Sequence, residues 1–379
     1  MMIVGILTIV ATARDSIAEA GLAAACAGVG TAVCGPFVGT LADRLGQRMV
    51  LVACSLLSIV AVGALLALLA TGAPIILIAS VAFVAGGSTP QVAPFSRSRL
   101  VGFAGLVRSP ARRGRAVSMV MSYESVMDEA SFVIGPVLVG VLTSLIAPWA
   151  PLVAGAVLTA TIVVAFALHR TGGVVGLGQS PRSAVGSARS ARIIVLAGGM
   201  LLAGGVFGSI LTALTEFMKA RGIGAQTGIA YGAMSVGAIV VAVSVAALPP
   251  RFTLATRWIA FGALGLSGAV ALVAASSLWG MVVALFLCGS GIGAVLVALF
   301  SLGARVAPAG RSTTVLTTLQ SALVVGQAIT TAVSGLVVQA LGPTAGFWIT
   351  VGFSGLLVVL AALYRWRFPE PPAFATQRG

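Results

Sequence analysis

Glu124, Asp128 and Glu129 lie in SYESVMDEASFVIGP, residues 122–136, an otherwise apolar stretch in a chain with eight acidic residues in all. Carboxylates placed this way can hold a proton, bind a cationic group, or fasten one helix to its neighbours through hydrogen bonds. Read as a helix, the stretch puts Glu124 and Asp128 on one face at i, i+4, while Glu129 points about 100° away from Asp128. If the helix starts after Arg115, a rise of ~1.5 Å per residue places the three acids about 14, 20 and 21 Å along it. A charged acid at such a depth in hydrocarbon costs roughly 2.5 to 3.5 kcal/mol, so keeping one there requires a partner or a proton. All 22 Lys and Arg fall at the ends of apolar runs or between them, so no internal ion pair is expected. Hydroxyls, amides, a cationic substrate or protonation remain as compensation. Asp128 is the expected proton carrier with Glu124 beside it, and Glu129 is the expected packing acid.

The elements that must position these acids are membrane-spanning helices. The chain is 59% hydrophobic and 8% charged, far from the roughly 25% charged content of a soluble domain. Runs such as 49–70 and 193–214 reach the ~20 apolar residues that a spanning helix needs. Cutting at charged or Pro/Gly-containing breaks gives about twelve spans: 1–13, 17–40, 49–70, 73–95, 116–146, 149–169, 192–215, 226–248, 257–275, 278–300, 312–340 and 343–364. Thirteen residues reach only about 20 Å of a ~30 Å hydrocarbon core. The first span is therefore expected to be a truncated or misassigned start.

Every second connector is basic. Nineteen of the 22 Lys and Arg fall in 43–48, 96–115, 170–192, 251–257, 305–311 and the tail from Arg365; the opposite set holds only Arg14, Lys219 and Arg221. The positive-inside rule then places the first set, and both termini, in the cytoplasm. The same distribution excludes a nucleic-acid partner, because the net charge of +14 is spread over short connectors and not over one face. Trp149, Trp258, Trp279, Trp348 and Trp366 fall near span ends, where an interfacial belt is expected. Cys26, Cys34, Cys54 and Cys288 sit in apolar runs and read as small buried residues with no disulfide framework. With no HExxH, no phosphate-binding loop and a single histidine, His169, an intramembrane metalloenzyme or a nucleotide-driven pump is disfavoured, and no metal or cofactor is expected.

The chain also repeats itself. RGRAVSMVMSYES, 113–125, aligns with AGRSTTVLTTLQS, 309–321, so that helix 5 matches helix 11 and Glu124 stands opposite Gln320. The expected plan is an all-α membrane protein of two six-helix bundles: 1–169, a Gly/Ser/Arg-rich cytoplasmic linker 170–191, 192–367, and a cytoplasmic tail 368–379.

The connector GTLADRLGQRMVL, 39–51, resembles the loop between helices 2 and 3 of the major facilitator superfamily, G-x-L-A-D-R-x-G-R-R. Gly39, Leu41, Ala42, Asp43, Arg44, Gly46 and Arg48 match; Gln47 stands where a basic residue is usual. The resemblance implies that Asp43 sits against the N-terminus of helix 11, here Arg311, Ser312 and Thr313, as a gating latch; an ordinary topology-setting turn is the alternative. Ser122, Ser131, Gly135, Pro136 and Gly140 resemble the helix 5 motif of the superfamily's exporters, with both early glycines replaced by serine. Residues 82–90, AFVAGGSTP, lack the arginine that many proton-coupled drug exporters carry before the Gly pair. The implied protein is a bacterial secondary transporter similar to drug/proton antiporters, monomeric, in the cell membrane, exporting a small organic compound against protons. Import or uniport of a metabolite, or a remnant that does not transport, remain alternatives. Gln320 and Gln327, seven apart on helix 11, are further cavity candidates, and Glu216 at the outer end of helix 7 is a candidate gate.

Overall fold

In a computed structural model the described residues are 2–107, 109–174, 187–222, 227–245, 248, 252–308 and 310–369. Helix dominates them, with no strand among them. In chain order the helices are α1 (Met2–Arg14), α2 (Ile17–Leu45), α3 (Gln47–Ala70), α4 (Ile75–Ser88), α5 (Val92–Gly105), α6 (Pro110–Leu145), α7 (Ala150–Leu158), α8 (Val164–Leu168), α9 (Ser187–Ala220), α10 (Thr227–Val245), α11 (Leu254–Ala274), α12 (Leu278–Val306), α13 (Ser312–Leu341) and α14 (Pro343–Arg367). A π-helical turn, Thr159–Val163, joins α7 to α8. Among the described residues nine helical stretches are long and apolar enough to cross a membrane, one of them running from Ile75 to Gly105 through α4 and α5.

Local chemistry sets the helix ends. Ser16 accepts the Glu19 N–H at 3.3 Å to start α2, while the Glu19 carboxylate pairs with Arg14 Nε at 2.7 Å. Thr253 and Ser277 cap α11 and α12 in the same manner. Gly46, at φ +91°, turns α2 into α3 with no intervening loop. Pro90 supplies no N–H and disfavours helix at Thr89, so α4 stops and α5 restarts at Val92. This corrects the expected span 73–95: helix continues to Gly105 and carries Arg97 and Arg99 inside it, 0% and 2% exposed. The expectation that no basic residue lies within a helical span fails here, because Arg97 and Arg99, read as the start of a basic connector at 96, are helical and buried.

The chain divides into two compact units. The first holds 1–102, 131–181 and 309–321; the second holds 103–130, 182–308 and 322–379. In the first, Ile6, Ala23, Val62, Leu65, Ile78 and Leu152 knit α1, α2, α3, α4 and α7 into one apolar core. Helices α2 and α4 meet backbone to backbone: a Cβ at Gly86 would meet the carbonyl of Ala27, and one at Gly30 the carbonyl of Phe83. Thr31 Oγ1 donates across this contact to the Gly86 carbonyl at 2.9 Å. In the second unit α12 is buried along most of its length against α9, α10 and α11, with small residues Gly289 and Gly291 where neighbouring backbones approach. Trp258 is fully buried there, 5.6 Å from the Tyr364 ring. It is a core residue and not part of the interfacial belt, whereas Trp149, Trp279, Trp348 and Trp366 are exposed.

Candidate functional site

The first unit carries a polar cluster built around the α2–α3 turn. Gly39 and Gly35 face the start of α13, where a Cβ would meet Thr317 Oγ1 and Ser321 Oγ respectively. Glycine at these positions lets α13 lie directly on α2. That approach brings Asp43, in the last turn of α2, to the α13 N-terminus. Asp43 Oδ1 accepts the Thr313 N–H at 3.3 Å, and Oδ2 accepts the Thr314 N–H and the Thr314 hydroxyl, each at 2.7 Å. Amides of a first helical turn have no intrahelical acceptor, and the helix dipole favours an anion there, so the carboxylate satisfies both requirements. The receiving residues are Thr313 and Thr314; Arg311 is exposed. Arg44 and Arg48 are exposed on the same turn.

Gln47 is buried beside this contact, at 4% exposure. Its Nε2 donates to Ser98 Oγ at 2.6 Å and to Thr313 Oγ1 at 3.2 Å, and its Oε1 accepts from Arg99 Nε at 2.9 Å. Arg99 Nη1 donates to the Phe166 carbonyl at 2.7 Å and to Thr171 Oγ1 at 3.1 Å, with the guanidinium 3.8 Å over the Phe166 ring. Oxygen dipoles and a ring face thus replace water around a buried cation. Two residues earlier on α5, Arg97 Nη1 donates to Gln320 Oε1 at 3.4 Å. Sequence reasoning passed over Gln47, Ser98, Arg97 and Arg99. The signals were present: a neutral residue in a basic motif, and the pattern FSRSR just beyond a proline.

The helix 5 acids fall in the second unit's portion of α6. Glu124 is buried at 4% exposure, flanked by buried Ser122 and Ser125, and Asp128 one turn later is partly exposed. The side chains of Glu129 and Pro136 lie outside the described residues. Gly135 is buried, whereas Ser131 and Gly140 are exposed, and a Cβ at Gly140 would meet nothing within 4 Å, so no close packing demands glycine there. Gln320 belongs with the first unit, and Gln327 with the second, where its backbone packs on Gly204 and Gly208 of α9. Glu216 pairs at 4.0 Å with Lys219 at the exposed end of α9. His169 is exposed, with Nδ1 3.1 Å from Thr171 Oγ1. No grouping of His, Cys, Asp and Glu able to hold a metal occurs among the described residues.

Long apolar helices, two units divided across α6 and α13, and a carboxylate seated on a helix N-terminus at a Gly-x-x-x-Asp-Arg turn define an all-α membrane carrier. A family profile described as Major Facilitator Superfamily matches residues 1–320. The chain belongs to that superfamily, and is a multi-pass secondary transporter and not an enzyme. Solved structures agree in fold. A bacterial homologue of the iron transporter ferroportin in an outward-facing state shares 18% identity at TM-score 0.74, covering 97% of this chain and 98% of the other. The human organic anion transporter MFSD10 (TETRAN) shares 18% identity at TM-score 0.70, covering 95% and 89%. The E. coli fucose:proton symporter shares 16% identity at TM-score 0.64, covering 96% and 97%. A search of the curated proteins finds no match.

Proposed function

We propose that the chain exports a small organic compound in exchange for protons, by alternating access, as a monomer in the cell membrane. Glu124 and Asp128 serve as the proton sites, and the Asp43 contact with α13 forms part of the gate. The observation that supports this reading most is the placement of Glu124: a carboxyl at 4% exposure inside an apolar helix, with Asp128 one turn away at partial exposure. A buried carboxyl beside a partly exposed one suits a pair that must take up and release a proton in turn.

The test uses purified protein in proteoliposomes and a compound found by comparing efflux from cells with and without the protein. An imposed pH gradient is expected to drive accumulation by the natural protein. Asp128→Asn and Glu124→Gln are each expected to lower that accumulation at least about tenfold while substrate-for-substrate exchange persists, since removing the proton site uncouples the cycle without removing the binding site. Glu129→Gln is expected to lose stability before coupling. An undiminished response in all three variants would show that the acids only fasten helices together.

The same reading places both termini in the cytoplasm, on the strength of the lopsided distribution of Lys and Arg among the connectors. A reporter active only outside the cytoplasm, fused after Gly379, is expected to stay silent, and activity would invert the orientation.

A further inference from the structure

The interactions of Gln47 reach well past the α2–α3 turn. A primary amide donates and accepts at once, and Gln47 uses both capacities: Nε2 toward Ser98 and Thr313, Oε1 toward Arg99. A guanidinium at position 47 would offer the Arg99 Nε no acceptor and would set two cations face to face. An aliphatic residue would strand the Arg99 Nε donor on one side and the hydroxyl acceptors of Ser98 and Thr313 on the other, at the cost of burying unpaired polar groups. The far side of Arg99 grips the end of α8 through the Phe166 carbonyl and ring, and grips Thr171 in the 3-10 turn Arg170–Val174, where the expected linker begins. Thr313 meets both partners from the α2–α3 turn, its N–H donating to Asp43 and its hydroxyl oxygen accepting from Gln47 Nε2.

We propose that Gln47 and Arg99 are positioning residues that tie the first turn of α13 to the root of the linker, so that the amides facing Asp43 are held in place from the end of α8. The two ends of this bridge, Thr171 and Thr313, are 142 positions apart in the chain, and every group in it belongs to the first compact unit. The bridge contains one positive charge, carried by Arg99, and a neutral amide that passes its orientation on. Neither residue needs to touch a substrate. Its consequence for transport rests on the gating role proposed for Asp43, while the bridge itself can be measured without any substrate.

The measurement is amide hydrogen exchange of the full chain in lipid nanodiscs, followed at the first turn of α13 and at residues 166–172. Arg99→Gln is expected to speed exchange about tenfold at both places, because both are held through the same guanidinium. Thr313→Val, which removes one hydroxyl and keeps the N–H for Asp43, is expected to speed exchange at α13 alone. Gln47→Arg by itself should loosen both places. The double variant Q47R/R99Q returns one guanidinium and one amide carbonyl to the cluster in exchanged positions, with hydroxyl acceptors at Ser98 and Thr313 within reach. Its exchange at the first turn of α13 is expected within about threefold of the natural protein, a strongly non-additive result, while residues 166–172 stay loose because the guanidinium no longer faces Phe166 and Thr171. The proposal is overturned if Arg99→Gln affects only the α8 end, if the double variant is as loose at α13 as its two singles combined, or, should either single variant not fold, if Thr313→Val leaves α13 unchanged. Failure of the proton-coupling experiment would not alter these outcomes.

Discussion

Gly86→Val is expected to remove most of the folded protein from the membrane, the largest loss of stability among the substitutions considered for this chain. The atoms that a Cβ at Gly86 would meet are Ala27 O, C and Cα, all backbone. No rotamer change can clear them, so α2 and α4 must separate, opening the apolar core formed by Ala23, Ala27, Ile78 and Ala82 and breaking the Thr31 hydrogen bond to the Gly86 carbonyl. Overpacking against side chains costs typically about 1–3 kcal/mol, and a clash against rigid helical backbone belongs at or above the top of that range. Gly63→Val is the control: Gly63 lies on an exposed face of α3 with nothing within 4 Å of its would-be Cβ, and its substitution should leave stability nearly unchanged. Thermal unfolding in detergent and abundance in the membrane read both. Equal behaviour of the two variants would mean that the α2–α4 contact tolerates a side chain and does not organise the first unit.

Asp43→Asn is expected to slow transport about tenfold while membrane abundance stays near that of the natural protein. The carboxylate accepts two backbone amides and one hydroxyl at the head of α13. The replacement amide keeps one acceptor, loses the charge that the helix dipole favours, and turns an NH2 group toward N–H donors. Hydrogen bonds to a charged group contribute roughly 1.5–3 kcal/mol, and partial exposure of Asp43 argues for the lower end, which corresponds to about a tenfold shift between two conformations. Few apolar contacts are lost, so the fold survives. Thr314→Val should move transport in the same direction by less, since it removes the hydroxyl but leaves the N–H. Transport at the normal rate, or disappearance of the protein from the membrane, would refute a gating role for Asp43.

Composition and periodicity determined the class of this protein and most of its helices. A chain this apolar, interrupted by basic connectors at alternate junctions, must satisfy its backbone hydrogen bonds inside helices that cross lipid, and that requirement is local to each segment. The α2–α3 turn was legible for a similar reason. Gly46, Asp43 and the close-packing Gly39 act within a few residues of one another, and a short motif can record them. The end of the expected span at 95 misled because charge is read residue by residue while its burial is not. Whether a helix continues through basic residues depends on what those side chains pack against, and Phe95, Arg97 and Arg99 continue it by burying their side chains in the first unit. Only the tertiary structure decided that Gln47 is a hydrogen-bonding pivot, that Arg99 is held by Phe166 and Thr171, and that Trp258 is core and not interface. In each case the deciding partners lie 51 or more positions away in the chain: 51 for Gln47 with Ser98, 67 for Arg99 with Phe166 and 106 for Trp258 with Tyr364. Residue type limits what such a side chain can bond or bury, but which groups come within reach is set by how the helices pack.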